Sequence, residues 1–219
     1  MDSKLIGYVG DSIDRVRLDL YSDADFAGMA SQHSTTGGHL MLAGTNTRFP
    51  LTAVSKKQQS VSTSTTEAEL TTIFHMVRNV AIPAIDLWST LLHKTIPVNV
   101  YEDNQTVNHI IKTGKNQSMR HFERTHRVPV AWLHEIYERN TFINLQFAES
   151  KDMIADLYTK RFTDVQKFQQ LRRAVGLAFT PGEIWKNVTT PVVCTYVDWR
   201  YNRISGLGSS TDPMAKKSC

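Results

Sequence analysis

The sequence predicts an α/β fold with a five-stranded mixed sheet flanked by helices, and three observations carry that prediction. Val16, Leu18 and Leu20 repeat with the period of two that marks a half-buried strand. Ser64-Thr65-Thr66-Glu67 has the spacing of a capping box, with an apolar helical face behind it. Along the chain, three strand-like stretches are followed by helix, strand, helix, strand and helix, which is an α/β order.

The first strand, through Val16, Leu18 and Leu20, should end near Asp23. Gly37-Gly38 opens a second apolar stretch over residues 39–43. A third covers residues 50–55, ahead of the polar run Lys56-Lys57-Gln58-Gln59. The helix behind the capping box places Leu70, Ile73, Phe74, Val77 and Val80 on one face, with a kink expected at Pro83. His75 and Met76 lie within it and read as packing residues rather than ligands. A fourth strand over 96–101 leads into a short helix over 105–111. Trp132, Leu133, Ile136 and Tyr137 mark another helix, and residues 142–147 a fifth strand. Helical segments follow around 153–158 and 165–175.

The 219 residues suit one domain with an appendage or two small domains. With 41% hydrophobic and 21% charged residues, a packed core forms and wholesale disorder is excluded. The domain is expected over residues 7–177, with 178–219 as a C-terminal extension. Trp185, Val192, Val193, Tyr196 and Trp199 make the extension partly apolar, as an arm, before a flexible polar tail, SGLGSSTDPMAKKSC. The 2 cysteines, Cys194 and Cys219, make neither a disulfide framework nor a zinc cluster, which points to a reducing compartment. No apolar signal core opens the chain, and no run approaches the roughly 18 apolar residues of a membrane span.

Lysine and arginine number 25 against 21 acids, a mild excess, but its distribution is focused. Residues 112–127 hold five basic side chains and one acid, with His121 and His126 beside them. A solvated loop and a polyanion-binding surface both fit that stretch.

Four carboxylates fall where they could act together. Asp23 closes the first strand and Asp103 the fourth, and ligand sites in open α/β sheets form beyond the carboxyl ends of strands. Glu69 sits early in the long helix, and Asp156 on the polar side of a later one. Each has a plain alternative: Asp103 as a helix cap, Glu67 or Glu69 as a capping or dipole partner, Asp23 as a turn residue, Asp156 on a solvated face. Several oxygen ligands without cysteine or histidine suit hard cations, Mg²⁺ or Mn²⁺. Two such ions can clamp the attacking and leaving oxygens of a phosphoryl displacement.

The segments YSDADFAG (21–28), SKKQQSVSTSTTEAEL (55–70), YEDNQTVNHI (101–110) and MIADLYTK (153–160) closely resemble, in order, the motifs of the ribonuclease H domain of copia-type retrotransposon Pol polyproteins. The resemblance spans residues 7–177. It implies a ribonuclease H-like fold and cleavage of the RNA strand of RNA–DNA hybrids with two Mg²⁺ ions, for which Mn²⁺ can substitute. Carried over by motif, the catalytic and metal-holding acids are Asp23, Glu69, Asp103 and Asp156. Asp23 would bridge both ions, Asp156 would help hold the ion that activates water, and Glu69 and Asp103 the other. Asp25 and Glu67 are neighbours within the motifs rather than expected ligands. Lys56, Lys57, Asn104, Arg120, Arg124 and Arg127 are the candidate nucleic-acid contacts. Asn104 fits equally a place in the metal shell or the first helical position. The implied partners are an RNA–DNA hybrid and the reverse transcriptase region of the same polyprotein. The implied location is intracellular, in a cytoplasmic virus-like particle or the nucleus.

The chain departs from the family in places. Phe26 and Ala53 stand where tryptophan is usual, and residues 119–135 depart from the usual pattern while keeping its charge. No histidine lies between Gln146 and Asp156, so the residue that aids product release in some cellular ribonucleases H has no counterpart there. The rival reading is a catalytically decayed or domesticated domain that binds nucleic acid or scaffolds a polyprotein; retention of all four acids argues against it. An integrase would carry a three-acid pattern and an N-terminal His/Cys zinc module, and neither is present. A glycosidase would have no use for a basic phosphate-binding surface.

Overall fold

The computed structural model describes residues 4–28, 32–115, 122–139 and 142–178, together with the backbone of 193–198 and 203–208. Strand β1 (Lys4–Val9) is followed by three long strands, β2 (Arg17–Asp25), β3 (Thr35–Ala43) and β4 (Thr47–Lys57), which pair antiparallel in succession. β5 (Val98–Glu102) runs parallel to β2, and β6 (Ile143–Phe147) runs parallel to β5. The expected mixed sheet is therefore present, in the order β6-β5-β2-β3-β4. It continues beyond β4 through β1, against which β7 (Leu177–Ala178) and β8 (Val193–Asp198) both pair antiparallel, and β8 pairs with β9 (Arg203–Gly208). The polar tail expected from residue 205 onward begins instead as strand: residues 205–208 belong to β9, paired with β8, and the rest of the tail lies outside the described residues.

Helices cover both faces. On one face, α1 (Thr65–Met76), α2 (Ile82–Leu92), α3 (Gln105–Thr113), α4 (Phe122–His126) and α5 (Val130–Arg139) pack on the main core. Leu18, Leu20, Leu40, Val98 and Val100 from the strands meet Leu70, Ile73, Val107, Phe122 and Leu133 from the helices there. Burial of each such side chain contributes about 1.5–3 kcal/mol, which is what holds the helices to the sheet. On the opposite face, α6 (Asp156–Thr159) and α7 (Val165–Ala174) cover Met41 and Ala43, together with Ile154 just before α6 and Val175 just after α7. Alternation along β3 sends Leu40 and Leu42 to the first core, Met41 and Ala43 to the second.

Pro83 does not break the long helix. The chain passes from α1 to α2 through one π-helical turn, Val77–Ala81, in which Ile82 N–H reaches Val77 C=O. Proline has no N–H to give Asn79, and the wider turn absorbs the missing bond.

Candidate metal centre

Because β2 and β5 are parallel neighbours, with Leu18 opposite Val98 and Tyr21 opposite Tyr101, their carboxyl ends lie side by side. Asp23, near the end of β2, and Asp103, just past β5, therefore meet at one edge of the sheet. Glu69, from the second turn of α1, completes a trio whose ligand oxygens all lie within 4.8 Å of one another. The trio is mostly removed from water: Asp23 is 1% and Glu69 3% exposed, and Asp103 is half-buried. Glycine makes the close packing possible. Gly37 pairs with Asp23 across β2 and β3, and a Cβ there would collide with Thr159. The Thr159 methyl fills that space, and its hydroxyl donates to Asp23 Oδ2.

The electrostatics are those of crowded carboxylates. Burial, and then the neighbouring charges of Glu102, Asp23 and Asp103, hold the Glu69 carboxyl well above its ordinary range. Its Oε2 is buried and has no hydrogen-bond partner among the described residues. Burial likewise raises Asp23, against the opposing pull of Lys160 and Thr159. An unpartnered carboxylate oxygen in a cluster of like charges is the environment a divalent cation satisfies, and an all-oxygen donor set suits Mg²⁺ or Mn²⁺. The residues present thus fit such an ion.

A fifth acid escaped the sequence reading. Glu102 is fully buried, accepting from Ser22 Oγ at 3.1 Å and from Asn104 N–H at 3.2 Å. Burial pushes its carboxyl well up as well. The signal was available: the period of two along β5 puts Glu102 on the same face as Val98 and Val100.

Asp156 is close to the trio but engaged differently. It was expected on the polar side of a helix; it opens the single turn of α6 and is fully buried. Lys160 Nζ lies 2.6 Å from its Oδ1 and Lys167 Nζ 2.8 Å from its Oδ2, so cations from α7 and from the end of α6 cover that polar side. The same Lys160 ammonium lies 3.1 Å from Asp23 Oδ1 and so links Asp156 to the trio. Burial works against its charge, yet the two carboxylates together hold Lys160 above its ordinary range.

The plain alternatives sort cleanly. Asn104 is the N-cap of α3, one position earlier than the first helical place expected for it, and accepts from Thr106 and Val107 N–H. Asp103 takes no part in that cap and instead accepts from Ser150 Oγ at 2.8 Å. Glu67 is the capping partner of α1: its N–H donates to Ser64 Oγ at 3.2 Å, and its Oε2 accepts from Thr63 N–H and Oγ1 at 2.6 and 2.8 Å.

The basic candidates surround this edge. Lys56 and Lys57 are exposed and belong to β4 itself rather than following it, in the rows just past the one that pairs Asp23, Gly37 and Ser55. Next to them Gln58, part of the expected polar run, is buried, its Nε2 donating to Ala68 C=O at 3.0 Å and to Thr72 Oγ1 at 3.2 Å. α4 docks on the start of α1, with His126 Nε2 3.6 Å from Glu67 Oε2. Arg124 and Arg127, on and just after α4, are exposed. Arg120 lies outside the described residues. An open groove of about 550 Å³ runs beside the acids, lined by Asp25, Gly28, Thr35, Thr159, Lys160 and Arg161. No helix among the described residues is long and apolar enough to cross a membrane.

The sequence matches no protein-family model. Among solved structures, the chain is similar to RNase H1 from the halophilic archaeon Halobacterium salinarum, with 11% identity, 64% of this chain and 90% of that one covered, and a TM-score of 0.43. It is similar to LC11-RNase H1, isolated from compost, with 14% identity, 65% and 92% coverage, and a TM-score of 0.42. It is also similar to the PFV RNase H domain, with 13% identity, 74% and 93% coverage, and a TM-score of 0.38.

Proposed function

We propose that this chain is a metal-dependent ribonuclease H-type hydrolase that cuts the RNA strand of RNA–DNA hybrids, in the setting of retrotransposon reverse transcription. The observation that carries the proposal is the convergence of Asp23, Glu69 and Asp103 around an unpartnered carboxylate oxygen. The four ordered motifs that resemble copia-type Pol proteins give the reading its substrate and its retroelement context.

In this reading Asp23, Glu69 and Asp103 would hold one divalent ion, and Asp23 with Asp156 would hold a second. When bound, such ions would supply charge neutralisation at the scissile phosphate and a water acidic enough to ionise near neutral pH. Asp23 would belong to both groups because it is a member of the trio and shares Lys160 with Asp156. Glu102 helps fix the sheet edge by accepting from Ser22 and from the backbone of Asn104. Lys56, Lys57, Arg120, Arg124 and Arg127 would receive phosphates, which positions a duplex without reading its bases. Selectivity for the hybrid would come from its A-form-like shape and 2′-hydroxyls. Residues 7–177 would form the working domain, with 178–219 as its extension, joined in the polyprotein to a reverse transcriptase region.

One observation favours a second reading, a domain that binds hybrid without cutting it: both Asp156 oxygens are already occupied by lysine ammonium groups. The two readings part on substrates. Labelled RNA–DNA hybrid, double-stranded DNA and single-stranded DNA are each incubated with the full chain and Mg²⁺. A hydrolase of this type cuts only the RNA strand of the hybrid, whereas retention of uncut hybrid in a stable complex supports the second reading.

A further inference from the structure

We propose that Lys160 is a built-in counter-cation of the Asp23–Asp156 pair, which a divalent ion must displace in order to bind on that side of the site. The inference rests on the hydrolase reading above and adds to it a difference between the two sides of the centre.

The two sides meet an incoming cation in opposite states. On the Glu69 side, a buried oxygen has no hydrogen-bond partner among the described residues, so an ion there gains that ligand without displacing a cation from it. On the Asp156 side, every carboxylate oxygen is already satisfied. Asp156 Oδ1 and Asp23 Oδ1 share Lys160 Nζ at 2.6 and 3.1 Å, Asp156 Oδ2 has Lys167 Nζ at 2.8 Å, and Asp23 Oδ2 has the Thr159 hydroxyl. Asp23 and Asp156 are both buried, and without a cation between them their charges would repel in a poorly solvated place. Lys160 supplies that cation when no metal is bound.

The two lysines differ in how they can move. Lys160 follows α6, and its backbone N–H is tied to Asp156 C=O at 2.9 Å, so the ammonium always returns near the pair. Its side chain is nonetheless 40% exposed and lines the groove beside the site, and its flexible stem can carry the charge out into solvent. Lys167 reaches Asp156 Oδ2 alone from α7, with no ion pair to Asp23 among the described residues, so it can remain in place. Displacement therefore falls to Lys160.

The test is calorimetric titration of the full chain with Mn²⁺, paired with thermal midpoints with and without the ion. Wild type should take up one ion more tightly and a second more weakly. Lys160→Met should tighten the weaker ion by about ten- to hundredfold, the range over which groups adjoining metal ligands shift affinity. It should also lower the ion-free midpoint and let Mn²⁺ restore it. Lys167→Met should tighten the weaker ion less. Lys160→Arg, which keeps the charge, should leave the weaker ion weak, and it serves as the variant should the methionine form not fold; tighter binding in the arginine form overturns the proposal. Uptake of Mn²⁺ by wild type with equal or weaker affinity in Lys160→Met overturns the counter-cation role while leaving the metal centre standing. Absence of Mn²⁺ uptake in every form removes the metal-dependent reading, and the inference with it.

Discussion

Asp103 precedes the cap of α3 and takes no part in capping it. The capping oxygen is Asn104 Oδ1, at 3.0 and 3.3 Å from the N–H groups of Thr106 and Val107, while Asp103 turns to Ser150. The two adjacent residues therefore separate stability from the metal centre. Asp103→Asn should leave the thermal midpoint within a degree or two and weaken Mg²⁺-dependent cleavage by more than about a hundredfold, beyond what an outer-shell partner costs. Asn104→Ala should do the converse, removing about 1 kcal/mol of stability with a smaller effect on rate. Near-wild-type cleavage by Asp103→Asn would remove Asp103 from the ligand set.

Glu67 and Glu69 offer the same separation within one helix. Glu67 accepts from Thr63 twice, and a glutamine carbonyl can do so as well, so Glu67→Gln should change cleavage less than about threefold. Glu69→Gln removes a buried charge from a crowded cluster. The ion-free protein should gain stability, and the rise in midpoint on adding Mg²⁺ should shrink or vanish. A larger rate loss from Glu67→Gln than from Glu69→Gln would contradict the assignment.

The buried His39 sets an acid limit on the fold around the second core. Burial, aided by the Arg48 charge on β4, depresses its pKa from 6.5 to about 4, and its ring stacks on Tyr158 of α6, with Nδ1 2.8 Å from the hydroxyl. Between pH 6.5 and about 4 the unfolded chain binds a proton that the folded chain refuses. Stability from this group is therefore complete above pH 6.5 and is lost as pH falls toward 4, by up to about 3 kcal/mol. Thermal midpoints at pH 7 and pH 5 should fall further apart in wild type than in His39→Gln. Equal falls would show that His39 is not the group responsible.

Arg127, exposed just after α4, adopts φ +55°, a left-handed conformation that costs a non-glycine residue about 1–2 kcal/mol. Arg127→Gly should relieve that strain and leave stability equal or higher. If Arg127 also receives a phosphate, the same change should reduce the salt slope of hybrid binding by roughly 0.9. Arg124→Ala should reduce the slope similarly, and an unchanged slope in both would return the segment to an ordinary solvated surface.

Much of this was legible in the residues because it is local. The alternation of Val16, Leu18 and Leu20, the capping box at Ser64 and the positions of Asp23 and Asp103 at strand ends depend on a few neighbouring residues, and the fold realises them. What was missed is tertiary. β1 is short, carries Gly7, and is defined by partners as distant as β8. Gln58 reads as one of four polar residues in a row, yet it turns inward to Ala68 and Thr72. Lys160 stands four residues after Asp156, a spacing that suggests a pair on a helix, but its contact with Asp23 crosses 137 residues of chain. Only the packed fold brings those groups together.

The proposal that three carboxylates hold an ion on which RNA cleavage depends is tested most directly by one measurement. Cleavage of labelled RNA–DNA hybrid is followed in Mg²⁺, in excess chelator, and in Mg²⁺ restored after chelation, for wild type and Asp103→Asn side by side. Wild type should cut the RNA strand in Mg²⁺, stop in chelator and recover on restoration, while Asp103→Asn stays inactive throughout. Efficient cleavage in chelator, or full activity of Asp103→Asn, would contradict it.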